Sequence, residues 1–253
     1  MSRRRAPRGR APRHPSLRRL ALVVGLALLA LGFASFARDS WALHRLGTLG
    51  KPAQEASGNA ARPDAWTRVP SLCAWLAIDG AGIDFPVCQA DASDPEYYLD
   101  HDPWGAPSRV GVPFVDADTN ANAPHVMVYG HHLALTGGMF TPLFDCYRQE
   151  RFDQVLGEAR CRWTTTEKGK QSFLPLCALS VDKADGEARF FAATSGIDLR
   201  RWAAGMLKRS TARSKDAEEL CAQGERFLTL VTCSSVFAGR RERTLVIFAL
   251  CKK

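Results

Sequence analysis

The 253 residues are 46% hydrophobic and 24% charged, which suits one substantial core and excludes a chain disordered throughout. The formal charge of +8 suggests an anionic partner, but eight arginines lie between Arg3 and Arg19, and removing them (34 − 8) leaves 26 basic residues against 26 acidic ones. The body is therefore neutral, the excess belongs to an N-terminal arm, and no nucleic-acid partner is expected.

Residues 1–19 form this basic arm. From Leu20 to Ala37 the run LALVVGLALLALGFASFA carries no charge. Its eighteen residues rise about 27 Å as a helix, roughly a hydrocarbon core. With the arginines in front, the positive-inside rule predicts a single-pass anchor with a cytoplasmic N-terminus and an exported body. A signal peptide cleaved after Ser35-Phe36-Ala37 is the alternative, and it exports the body equally. Residues 38–70 read as a juxtamembrane segment: a helical extension over 40–50, then a Pro-, Ala- and Gly-rich spacer over 51–70.

Beyond residue 70 the chain breaks into short apolar runs, CAWLAI, IDFPVC, VGVPFV, HVMVYG, RCRWTTT, SFLPLCALSV, FLTLVTC and TLVIFAL, with turn residues between them. This spacing predicts a largely antiparallel barrel or sandwich. Two helices interrupt it. The first covers 138–152, with Met139, Leu143, Tyr147 and Arg151 on one stripe and Pro142 in its first turn. Asp198 is the expected N-cap of the second, whose apolar face is Leu199, Trp202, Met206 and Leu207. Eight cysteines contain no CxxC pair, so a zinc ribbon is not expected. Cys161 and Cys177 flank the turn signal 167–170, and a bridge across that hairpin is one expectation.

Chemistry is suggested near the C-terminus. FLTLVTC is a β-branched strand ending at Thr232-Cys233, and TLVIFAL is a second strand opened by Arg243. In an antiparallel pair the strand-end thiol and the strand-start guanidinium sit side by side, where the cation favours thiolate and donates to an oxyanion. Arginine is no base at neutral pH, so a histidine must serve. VMVYGHH offers His131 and His132 directly after a strand, and the two compete for the role. A metal centre on His125, His131 and His132 has neither HExxH nor paired-cysteine spacing.

Taken together, YGHH, GGMFTPL, TLVTC and an arginine ten residues after the cysteine resemble the pattern of class B sortases. The segment 75–105, WLAIDGAGIDFPVCQADASDPEYYLDHDPWG, is similar to the part of that family that begins its barrel. The resemblance covers about residues 70–250. It implies a mainly β fold: a closed barrel of about eight strands with short helices and one longer helix between late strands, over residues 71–253. It also implies a cysteine transpeptidase with Cys233 as nucleophile, His131 as general acid/base and Arg243 as the oxyanion's partner. Arg240 and Arg241 are rival cations. Leu99 is implied near the bound peptide, and Thr232 and Ser234 beside the thiol. The implied partners are surface proteins bearing a sorting signal, and an amine on a cell-wall precursor or pilin; no cofactor is implied. An exported cysteine peptidase of another fold, or a catalytically silent binding barrel, are the competing readings. The first usually presents its cysteine at a helix start, ahead of the histidine, the reverse of the order here.

Overall fold

The computed structural model describes residues 15–50, 53–54, 60–61, 64–191, 195–233 and 241–251. The chain divides into two compact units, Met1–Arg38 and Asp39–Lys253. Helix α1, Pro15–Gly47, begins in the first and ends in the second. Its part from Arg19 onward is long and apolar enough to cross a membrane.

The second unit is built on eight strands: β1 Leu72–Ile78, β2 Ile83–Gln89, β3 Phe114–Val115, β4 His125–Tyr129, β5 Cys161–Thr165, β6 Gly169–Asp182, β7 Gly224–Cys233 and β8 Glu242–Cys251. They join in the order β1-β2-β3-β4-β7-β8-β6-β5, and β5 returns to β1, which closes the barrel. Closure removes exposed strand edges, a route by which an all-β domain avoids pairing with other chains. The β2–β3 and β4–β7 joints are parallel, and the other six are antiparallel.

Alternation along the strands feeds two cores. Leu228 and Leu230 of β7 pack with Val126 and Val128 of β4 and with Val246 and Phe248 of β8. The intervening Phe227 and Val231 of β7, with Leu245 and Ile247 of β8, face a second cluster under helices α3, Gly196–Arg209, and α4, Ala217–Gln223. Both faces are apolar because both are covered, so these strands read as continuous hydrophobic runs. A third cluster joins Leu46 and Leu49 to Trp66, Val69, Trp75 and Phe114. Part of the stretch read as a juxtamembrane segment is therefore core.

Three local expectations are corrected. Residues 138–152 do not form one helix: Pro142 sits in a 3-10 turn, Thr141–Leu143, and helix α2 starts only at Gln149 and runs to Leu156. Proline suits that first turn, but the bonds that follow are of i→i+3 type, Leu143 N to Phe140 O and Cys146 N to Leu143 O. The N-cap of α3 is Ser195, not Asp198: Ser195 Oγ accepts from Asp198 N and donates to Asp198 Oδ2, a reciprocal cap that uses both side chains. Cys161 lies opposite Phe173, while Cys177 lies opposite Ile247 and Arg213, and both are free thiols. The hairpin register separates them by four residues along β6, which rules out the bridge.

Candidate active site

The end of β4 is held against β7 in parallel register. Tyr129 pairs with Val231, and Gly130 N donates to Val231 O at 3.0 Å. Two residues further along the chain are His131, beyond the end of β4, and Cys233, the last residue of β7. On its other side Cys233 is in register with Arg243, and Arg243 with Val181. Cys233 and Arg243 thus face each other across β7 and β8, and His131 follows the end of the strand on the other side of β7. Ser234 and the rival Arg240 lie outside the described residues. The other rival, Arg241, donates from Nε and Nη2 to both oxygens of Asp182 at 2.8 Å. That fork holds the Asp182 carboxyl down to about 2.

Glycine is required before His131. A Cβ on Gly130 would sit 2.6, 2.7 and 2.8 Å from three ring atoms of Phe140, which is fully buried. Phe140 N in turn donates to His131 O at 3.0 Å. The GH of the YGHH motif and the MF of GGMFTPL are thus two sides of one packed turn. His132, which also lines the cavity described below, stacks on Phe144, with ring centroids 4.4 Å apart.

The imidazole of His131 is oriented by a backbone carbonyl. Its Nε2 lies 2.6 Å from Leu99 O. A carbonyl only accepts, so Nε2 carries the proton and Nδ1 is left as the exchanging nitrogen. Leu99 ends a 3-10 turn, Tyr97–Leu99, pressed onto Gly111. Gly111 has φ 58°, and a Cβ there would collide with Tyr98 O and stand 2.8 Å from Leu99 O. Only glycine fits that approach.

These residues line a cavity of about 700 Å³, bounded by Leu99, Tyr129, His131, Thr232 and Arg243 among others. Thr232 is buried, and its Oγ1 has no hydrogen-bond partner among the described residues. Arg243 is half-buried, and its Nη1 donates to Glu242 O at 3.0 Å.

One part of the wall went unread in the sequence. Asp116 is buried and accepts from Tyr129 Oη at 2.7 Å and from Arg189 Nε and Nη2 at 3.0 and 2.8 Å. Burial alone would raise this carboxyl, but the bonds from Arg189, Asp118 N and Tyr129 hold it below the ordinary carboxylate value. Burial and the neighbouring Asp116 charge push the Tyr129 hydroxyl up, so it stays a donor. The Tyr of YGHH was the available signal; Arg189 stands in no motif.

The remaining cysteines are poor nucleophiles. Burial pushes the thiols of Cys88, Cys146 and Cys177 up to about 12, and raises those of Cys73, Cys161, Cys221 and Cys251. His125 is at the far end of β4 from His131. It is buried between Phe190 O and Thr229 Oγ1, and burial lowers it to about 4. It therefore serves the packing, and no cluster of metal-ligating side chains occurs among the described residues.

No protein-family profile matches the chain, and no curated protein matches it by sequence. Solved structures do match. Clostridium perfringens sortase B is 23% identical, with 74% of this chain and 97% of that one covered and a TM-score of 0.61. Staphylococcus aureus sortase B is 18% identical, covering 87% and 99%, with a TM-score of 0.63. Sortase B from B. anthracis in complex with AAEK2 is 16% identical, covering 87% and 97%, with a TM-score of 0.64. This chain's closed, mixed eight-stranded barrel with a few helices matches these structures, and the chain has the class B sortase fold.

Proposed function

We propose that the chain is a membrane-anchored cysteine transpeptidase of sortase type, acting outside the membrane on peptides that carry a sorting signal. One observation carries the reading: Cys233 pairs with Arg243 across β7 and β8, His131 comes two residues after the Tyr129 that pairs with Val231 of β7, and His131 and Arg243 line one cavity. The likeness to sortase B structures, one of them a Staphylococcus aureus sortase B-substrate complex, supports the peptide as ligand.

In this mechanism the Cys233 thiolate attacks the carbonyl carbon of a threonine in the bound peptide, and the carbonyl electron pair moves onto oxygen. Arg243 donates hydrogen bonds to that oxyanion, a role that suits a guanidinium because it stays charged through the cycle. His131, protonated at Nδ1 and held at Nε2 by Leu99 O, gives its proton to the departing amine as the C–N bond breaks. The thioester then meets an incoming amine. His131 takes a proton from it, the new amide forms, and Cys233 leaves as thiolate. In this reading Leu99, Thr232 and Ser234 contact the peptide.

The partners in this reading are surface proteins with a sorting signal, and an amine on a cell-wall precursor or pilin. The basic arm and the apolar part of α1 hold the enzyme in the membrane with its N-terminus inside. Incubation of the purified protein with a threonine-containing sorting peptide and an amine, followed by mass spectrometry, tests the proposal. It expects an amide joining the threonine to the amine; hydrolysis alone in the presence of amine would point to a peptidase.

A further inference from the structure

Outside α1's apolar stretch, few large hydrophobic side chains of the body are exposed. Among the described residues they are Trp41 at 59%, Trp104 at 37%, Leu135 at 83% and Ile197 at 63%. Three of the four lie on segments tied to the same few residues of α1. Trp41 is on the helix itself, four residues after Ala37. Arg45, one turn later, has its guanidinium carbon 5.0 Å from the Trp41 ring and 4.0 Å from the Trp104 ring, and its Nη1 is 3.6 Å from Asp102. The loop containing Leu135 is bound to the helix as well: Leu133 and Leu43 both pack against the third cluster, and a Cβ on Gly138 would stand 2.6 Å from a methyl of Leu43.

Trp104 is held out by construction. Asp102 Oδ1 accepts from the backbone N–H of Trp104 and of Ala106, both at 2.9 Å, and Gly105 completes the turn at φ 82°. The other oxygen of Asp102 faces Arg45. A turn braced in this way keeps an indole at the surface, which costs apolar hydration unless something covers it.

We infer that Trp41, Arg45, Trp104 and Leu135 form a seat for the lipid headgroup layer, by which the body rests on the membrane that α1 crosses. The inference rests on the anchor reading above. Chain length selects lipid over another protein as the occupant. A span of about 20 residues from Leu20 ends near Asp39, which leaves Trp41 at the interface and Arg45 one turn beyond it. Tryptophan and arginine are the side chains that settle in this layer, with an apolar body toward the acyl chains and a polar tip toward water. The seat has a catalytic consequence, because the Leu135 loop begins at His131 and returns to it through the bond from Phe140 N to His131 O. Docking on lipid therefore braces the histidine loop.

The test uses the full chain in phospholipid vesicles, with the photo-crosslinking residue p-benzoylphenylalanine placed at one position at a time. Leu28 in the apolar stretch reports the anchor, Trp104 and Leu135 report the seat, and Ile197, on α3, is the control of comparable exposure. Illumination is expected to give lipid adducts at positions 28, 104 and 135, with severalfold more at the last two than at 197. Adducts at 28 with none above the level of 197 at 104 and 135 would overturn the seat and leave the anchor standing. Crosslinks from 104 and 135 to a second protein chain would overturn it in favour of a protein partner. A lack of adducts at 28 would remove the anchor and the seat together. To guard against disturbance of the turns by a label at 104 or 135, quenching of intrinsic fluorescence by brominated lipid is measured on the unlabelled chain. There Trp104→Phe should lower the quenching, and unchanged quenching would count against the seat.

Discussion

Substitution of Gly130 by alanine tests how His131 is positioned. Gly130 needs no unusual φ, so alanine introduces no backbone strain there, and its effect is steric. The new Cβ would lie 2.6 Å from the nearest ring carbon of Phe140, roughly 0.9 Å inside an ordinary contact of about 3.5 Å. Phe140 is fully buried and ringed by the barrel core, so it cannot swing away, and the strain divides between the ring and the 129–131 turn. Overpacking of this kind costs about 1–3 kcal/mol. For a domain of this size, roughly 2 kcal/mol lowers Tm by about 4–8 °C. A shift of about half an ångström passed on to the imidazole lowers turnover roughly tenfold, since 1 Å costs about a hundredfold. The assay is thermal denaturation with transpeptidation kcat for G130A, F140L and the double variant. The smaller leucine side chain of F140L should relieve the clash, so the double variant should be more stable than the sum of the singles by about 1–2 kcal/mol. Additive effects, or a G130A variant with wild-type Tm and kcat, would refute the packed-turn account.

Four further outcomes follow from the same structure. Cys233→Ala should abolish thioester formation, and brief alkylation of the native protein should modify Cys233 ahead of the seven thiols raised by burial; preferential labelling of any of those seven would contradict the assignment. Arg243→Lys should lose about 10²–10³ in turnover, because a point charge replaces the fork, whereas Arg241→Lys, whose wild-type guanidinium is bonded to Asp182, should lose little; comparable losses would make Arg241 the cation. Gly111→Ala should push Leu99 O off His131, reducing kcat, and ¹⁵N chemical shifts of His131 should show protonated Nε2 in the wild type and a mixed tautomer in the variant; a protonated-Nδ1 neutral form in the wild type would oppose the carbonyl's role. His125 has a folded value of about 4 against 6.5, so the unfolded chain takes up the proton first, and stability present above pH 6.5 should fall by about 3 kcal/mol as the pH drops to 4; His125→Gln should flatten that slope in denaturant titrations, and an unchanged slope would count against it.

The two C-terminal strands were legible because FLTLVTC and TLVIFAL are long, β-branched and separated by a polar loop, so their antiparallel register followed from adjacency. The histidine's turn was visible in YGHH, but its place beside the end of β7 depends on a parallel joint between β4 and β7, nearly a hundred residues apart, and hydrophobic periodicity does not record strand direction. Asp116 and Arg189 were illegible for the same reason, since each looks like an ordinary loop charge until the barrel closes and brings them together. The late start of α2 reflects a local competition. The apolar stripe of 139–151 has helical spacing, yet the turns around Pro142 settle into 3-10 bonding, and Met139 takes φ 55° to bury its side chain. Hairpin reasoning for Cys161 and Cys177 failed because the turn it assumed pairs Thr165 with Gly169, which puts Phe173 where Cys177 was expected.

The central claim is that Cys233 carries the acyl group in a transfer assisted by His131 and Arg243. Its most direct measurement is peptide-level mass spectrometry of the protein quenched in acid during turnover of a threonine-containing sorting peptide. The account predicts a hydroxylamine-sensitive thioester on the peptide containing Cys233, built up in His131→Ala far less than in wild type and discharged by added amine into a new amide. A thioester on another cysteine, or amide product formed by the Cys233→Ala variant, would contradict it.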